Sequence, residues 1–302
     1  MADVMISGVL MARGKLMCQL QYAYEKRQAR LRTRHEVWHS GQSGSTRCGS
    51  RQDWRTLGAV PRAIVLAGGY GTRLLPYTTV LPKPLMPVGD RPVLDIVVRQ
   101  LRDRGFERVT MSTGHLAELI EAFFGDGGRH GVAIDYLREQ EPLGTAGALS
   151  LLGPVDEDLL VMNGDVLTDL DYAELLDSHR RSGADLTIAT QTRRERISLG
   201  VLSFGEDGDP DAVVGYREKP DFAFAASMGV YCFAPSVLAH LEPGVHLDFP
   251  DLVLRLVAAG RLVRAWRSDA LWLDIGVPAD YERAQETFEA NRDRLLPRPV
   301  GP

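Results

Sequence analysis

The apolar run Ala63-Ile64-Val65-Leu66 passes directly into Ala67-Gly68-Gly69-Tyr70-Gly71-Thr72-Arg73-Leu74. A buried strand that ends in three glycines within four positions needs a fold that leaves the strand's carboxyl end open to a ligand. Without Cβ atoms in the way, backbone N–H groups can approach a polyphosphate. Arg73 adds a planar fork for phosphate oxygens. Ten residues on, Lys83 adds a point charge between Pro82 and Pro84, which stiffen the backbone carrying it. The run is neither a dinucleotide fingerprint, since Leu74 stands where a third glycine is needed, nor a P-loop, since Gly-Lys-Ser/Thr is absent.

Beyond Pro61 the chain alternates between strand and helix patterns. Strands are expected at 63–66, 108–112, 133–137, 159–162, 185–190, 200–204, 212–217, 229–233 and 262–266. Helices are expected at 93–103, 116–124, 145–152, 172–181, 249–259 and 278–292. In the helix at 249–259 the apolar positions Leu252, Leu254, Val257 and Ala258 recur near the 3.6-residue helical period. Alternating βα units imply an α/β fold. It would be a Rossmann-like, mixed, mostly parallel sheet flanked by helices, with antiparallel strands in the second half. No internal repeat follows residue 275, so a C-terminal β-helix is not expected.

The 302 residues divide unevenly in charge. Through Arg62 there are eleven Lys/Arg against four Asp/Glu, a balance of +7, so the remainder carries −12 of a chain total of −5. Residues 1–60 read as a basic, disordered extension, and 61–295 as the catalytic domain. The overall charge gives no reason to expect nucleic-acid binding. Three scattered cysteines form neither a disulfide framework nor a zinc pattern, which fits the cytoplasm. No apolar run reaches membrane-spanning length, and Met1 to Leu10 lack a basic n-region, so neither a membrane association nor a secretory signal is expected.

The string LAGGYGTRLLPYTTVLPKPLMPVGDRPVLD resembles the signature of the sugar-1-phosphate nucleotidyltransferases, and the resemblance continues to about residue 290. It implies that Leu66, Ala67, Gly68, Gly69, Gly71, Thr72, Arg73 and Lys83 contact a nucleoside triphosphate. It also implies that Arg73, Lys83 and Asp165 carry the chemistry. The segment YLREQEPLGTAGA, at 136–148, looks most like the mannose-1-phosphate guanylyltransferase branch. There Glu139 would read the base, with Pro142, Gly144 and Thr145 beside the nucleoside. A carboxylate only accepts hydrogen bonds, so it complements the N1–H and N2–H edge of guanine. Related uridylyltransferases also carry a glutamate there, so UTP, dTTP, CTP and ATP stay open as alternatives to GTP.

Two carboxylates distant in sequence would hold Mg²⁺: Asp165, closing the strand-and-turn Leu159 to Asp165, and Asp274 in Trp272-Leu273-Asp274-Ile275-Gly276. By themselves these could equally be an Asx turn and a helix-start turn. The Arg217-Glu218-Lys219-Pro220 element is similar to the family's sugar-phosphate site, and the same role is implied for Gly200 and Ser227. Many relatives have Asn-Ala-Gly where Ser227-Met228-Gly229 stands, which leaves the acceptor open among mannose-like, heptose and cyclitol phosphates.

Two other classes compete. Asp169-Leu170-Asp171 is a D-x-D, the metal motif of many glycosyltransferases, although Asp171 is also placed to cap the helix that follows. A nucleotide-binding homologue without activity is the second. His115 reads as a loop or cleft-lining histidine. The partners expected are a nucleoside triphosphate and a sugar 1-phosphate, and the sequence leaves a homo-oligomer open.

Overall fold

In a computed structural model, residues 61–205, 209 and 211–296 are described, so the basic extension read at 1–60 lies outside the described residues. The strands are β1 (Arg62–Ala67), β2 (Pro87–Val88), β3 (Arg91–Pro92), β4 (Arg108–Thr113), β5 (Ala133–Arg138), β6 (Leu159–Asn163), β7 (Val166–Thr168), β8 (Leu186–Arg196), β9 (Gly200–Phe204), β10 (Val213–Glu218), β11 (Asp221–Phe233), β12 (Val263–Arg267) and β13 (Trp272–Asp274). The helices are α1 (Val93–Asp103), α2 (Ala117–Phe124), α3 (Gly144–Gly147), α4 (Tyr172–Ser182), α5 (Phe249–Ala258), α6 (Pro278–Ala290) and α7 (Arg292–Leu295).

Seven strands form the central sheet in the order β12-β8-β11-β6-β1-β4-β5. Pairing is parallel except where β11 runs against β6 and β8. The expected mixed, mostly parallel α/β sheet is therefore present. Apolar residues on β1 alternate between two cores, with Ala63, Val65 and Ala67 in one and Ile64 in the other. Both faces of the strand are thus buried, which accounts for its unbroken apolar run. The first core also holds Leu94, Val97 and Leu101 of α1, with Ile120 and Phe124 of α2. Helix α5 covers the opposite face with Phe249, Leu252 and Leu256. A third cluster packs α6, through Ala284 and Phe288, against Leu74, Leu273 and Ile275.

The helix expected at 249–259 is present, and the one expected at 145–152 needs correction. The buried stripe of α5 is Phe249-Leu252-Leu256, while Leu254 and Val257 are 65% and 56% exposed. The helix expected at 145–152 is a single α turn, Gly144–Gly147, followed by a 3₁₀ turn, Ala148–Leu151. Its first amides do not wait for an intrahelical partner. Those of Ala146 and Gly147 both donate to the Leu247 carbonyl, each at 2.9 Å. The Leu247 carbonyl, from a loop about a hundred residues on, thus satisfies amides at the start of this turn.

Strand β1 leads to β4 and β5 on one side and borders β6 on the other, so the sheet's chain order reverses beside it. That reversal opens a crevice at the carboxyl ends of β1 and β6, the usual ligand position in open α/β sheets.

Candidate active site

A cleft of about 410 Å³ occupies this crevice. Every residue expected to contact nucleotide lines it, together with Asp165 and Asp274. The glycine loop, Glu139 and the two aspartates arrive from the ends of different strands. The glycine loop follows β1, Glu139 follows β5, Asp165 sits between β6 and β7, and Asp274 ends β13. The short β13 pairs antiparallel with β7, with Asp274 opposite Val166. This ladder brings a carboxylate from the end of the chain's described part beside one a hundred residues earlier.

The loop after β1 turns into a 3₁₀ helix, Thr72–Leu74, that buries Leu74 and leaves Arg73 exposed. Lys83 begins a further 3₁₀ turn, Lys83–Leu85. Its Nζ forms an ion pair with Asp165 Oδ2, and both side chains are mostly buried. The other carboxylate oxygen, Asp165 Oδ1, is buried with no hydrogen-bond partner. Burial, then the charge of Asp165, push the Asp274 carboxyl above its ordinary range, and Lys83 and Arg73 partly offset them.

Two close carboxylates with one orphaned oxygen are a donor set suited to a divalent cation. Among the described residues no group of three or more His, Cys, Asp or Glu makes an all-protein cage. Mg²⁺ binds typically through one or two carboxylates with phosphate oxygens and water completing the shell, so Asp165 and Asp274 fit that ion.

Glu139 is fixed at both oxygens. Ser112 Oγ donates to Oε1 at 2.9 Å and the Leu143 amide donates to Oε2 at 3.0 Å. A Cβ on Gly68 would lie 2.5 Å from Oε1, so the glycine lets the loop close over the carboxylate. Gly144 holds a left-handed φ of +76°, and a Cβ there would stand 2.7 Å from the Leu247 carbonyl oxygen. Tyr70 packs against His115 in a tilted pair, ring centroids 5.0 Å apart, and both line a smaller cavity of about 130 Å³ that shares Gly68, Glu139 and Pro142 with the cleft.

The residues expected at the sugar phosphate are not walls of this cleft. Gly200 and Glu218 pair in the β9–β10 hairpin, and Lys219 directly follows β10. The side chains of Glu218 and Lys219 are 59% and 54% exposed and lie 3.8 Å apart. Lys219 has φ of +45°, an uncommon backbone for a side chain of this size. Ser227 lies on β11 at a bulge, with Oγ donating to the Tyr231 hydroxyl at 3.2 Å.

The D-x-D pair has structural partners instead. Asp169 accepts from the Leu271 amide at 2.8 Å and pairs with Arg294, and Asp171 caps α4 by accepting from the Glu174 amide at 3.2 Å. Neither lines the cleft. Sequence reasoning missed Asp248, a cleft residue whose Oδ1 accepts from the Thr145 amide at 3.2 Å. The only local sign was an aspartate ahead of the Phe249-Pro250 helix start, and that reads as a cap. It also missed Asn163, Tyr70 and Gly276.

Residues 62–291 match the nucleotidyl transferase family. The chain is 35% identical to a UTP–glucose-1-phosphate uridylyltransferase of Synechocystis, over 74% of this chain and 62% of that protein, so it spans less than two thirds of that relative. It is 31% identical to a D-glycero-alpha-D-manno-heptose 1-phosphate guanylyltransferase of Aneurinibacillus thermoaerophilus, over 75% of this chain and 98% of that one. Among solved structures, HddC of Yersinia pseudotuberculosis complexed with GMP-PN shares 26% identity with a TM-score of 0.58, covering 76% of this chain and 99% of that chain. The family match spans the glycine loop, Lys83, Glu139 and both cleft carboxylates, and on it this chain belongs to the nucleotidyl transferase family.

Proposed function

We propose that this chain transfers a nucleotidyl group from a nucleoside triphosphate, GTP in preference, to a manno-configured hexose or heptose 1-phosphate. A sugar-phosphate oxygen attacks the α-phosphorus, the bond to the bridging oxygen of the β-phosphate breaks, and pyrophosphate leaves. The nucleophile is already anionic, so the task is to position two polyanions and offset their repulsion. The glycine loop offers amides to the triphosphate. Arg73 holds the departing pyrophosphate. Lys83 exchanges its bond to Asp165 for the α-phosphate. Lys219 draws in the sugar phosphate, while Glu218, Ser227 and the Gly200 backbone take sugar hydroxyls. Asp165 and Asp274 would hold Mg²⁺, which supplies charge neutralisation at the phosphates when bound.

The observation that carries this reading is the convergence of the glycine loop, Lys83, Asp165, Asp274 and Glu139 on one cleft. The guanine preference is supported by Glu139, by the guanylyltransferase name of a relative aligned over nearly its whole length, and by the GMP-PN held by HddC. The uridylyltransferase name of the Synechocystis relative marks the alternative. The test is pyrophosphate release with Mg²⁺ and mannose 1-phosphate across GTP, UTP, dTTP, CTP and ATP. GTP should give the highest kcat/KM. A tenfold or greater advantage for another triphosphate would overturn the base assignment and leave the reaction standing.

A further inference from the structure

We propose that Ser112 is a positioning residue for base selection, clamping Glu139 so that its carboxylate accepts only a base edge carrying two adjacent donors. The inference rests on the nucleotidyl-transfer reading given above. Ser112 is 1% exposed, at the carboxyl end of β4, and cannot itself meet a ligand. Its hydroxyl donates to Glu139 Oε1, and the Leu143 amide donates to Oε2 from the following turn. The Glu139 backbone is held as well, its amide donating to the Thr113 carbonyl at 2.8 Å. The carboxylate is therefore fixed by main chain at its root and by one donor at each oxygen.

A carboxylate has about four lone-pair directions, two per oxygen. With one on each oxygen taken by protein, each oxygen keeps one unfilled, and Glu139 lines the cleft. Guanine presents N1–H beside N2–H and matches this pair. Hypoxanthine presents N1–H alone. Uracil and thymine flank one N–H with carbonyl oxygens, and adenine sets an acceptor beside its amino group. The last three bring lone pairs against the carboxylate, and unmatched polar groups in a closed site are rejected strongly. If Ser112 were absent, Oε1 would lose its fixed donor and the carboxyl could turn about its terminal torsion, whose energy wells are broad. Discrimination between one donor and two would then weaken.

The test compares GTP with ITP in wild type, Ser112→Ala, Ser112→Cys and Ser112→Thr, with kcat and KM separated and the melting temperature measured on each. Wild type should favour GTP over ITP by about tenfold or more in kcat/KM, the cost of one charge-assisted hydrogen bond. In Ser112→Ala that ratio should fall to about threefold or less, through the KM for GTP. Ser112→Thr should restore it, and Ser112→Cys, with a weaker donor, should fall between. If Ser112→Ala keeps the wild-type ratio, or Ser112→Thr loses it equally, Ser112 is a packing residue and the clamp is wrong. If wild type shows no preference for GTP, the guanine reading fails separately. The clamp is then decided by a Ser112→Ala/Glu139→Gln cycle on the KM of the preferred triphosphate. Coupling of about threefold or more supports it and additivity overturns it.

Discussion

Lys83 Nζ is paired with Asp165 Oδ2 across the floor of the cleft, joining the segment after the glycine loop to the end of β6. The pair couples the cation expected to meet the α-phosphate to one of the two carboxylates suited to Mg²⁺. Each holds the other in place before substrate enters. Asp165→Asn should lower kcat/KM by about a hundredfold or more, the scale on which electrostatic groups at a phosphoryl centre act. The circular dichroism spectrum should stay that of wild type, since asparagine keeps the shape and one acceptor. Asp274→Asn should behave alike.

Asp169→Asn should leave kcat/KM within about threefold of wild type. Its carboxylate serves the Leu271 amide and an exposed Arg294, both outside the cleft. A hundredfold loss here, with Asp165→Asn active, would instead favour the D-x-D as a metal site.

Gly144→Ala should destabilise the protein by about 1–3 kcal/mol, read as a lower midpoint in urea. The residue has φ of +76°, and its new Cβ would press on the Leu247 carbonyl that accepts from Ala146 and Gly147. Because the same turn carries Thr145 into the cleft, KM for the triphosphate should rise with the loss of stability.

His179 is buried against Thr187, with Nδ1 2.8 Å from Oγ1, and burial holds its pKa below the ordinary value of 6.5 against an opposing pull from Asp158. The unfolded chain takes up a proton as pH falls through about 6.5, while the folded protein resists until lower pH. Below that point the unfolded state binds more protons, so stability falls with falling pH. Thermal melts of wild type and His179→Gln between pH 8 and 5 should show a steeper decline in wild type. Parallel curves would mean that His179 is not the group responsible.

The alternating strand and helix pattern after Pro61 was enough to read the sheet, and β1 and β6, buried on both faces, carry their apolar runs openly. Cleft residues were legible where they follow a strand directly, as the glycine loop, Glu139 and Asp165 do. Strands β7 and β13 were not legible, being three residues each, with a ladder that joins segments over a hundred residues apart. Ser112 and Asp248 were hidden for a related reason. Their partners Glu139 and Thr145 lie 27 and 103 residues away, so nothing in the local sequence separates a clamp from a strand serine or a cap. The apolar spacing of α5 showed a helix but not its buried face, because Leu254 and Val257 are apolar yet face outward.

The central claim is that the cleft joins two phosphorylated substrates with loss of pyrophosphate. The direct measurement is product analysis after incubating the purified chain with Mg²⁺, GTP and mannose 1-phosphate or a manno-heptose 1-phosphate. Pyrophosphate and a nucleoside-diphosphate sugar should appear in equal amounts and stop appearing in Asp165→Asn. No sugar nucleotide from any pairing of five triphosphates with a broad panel of sugar 1-phosphates would contradict it.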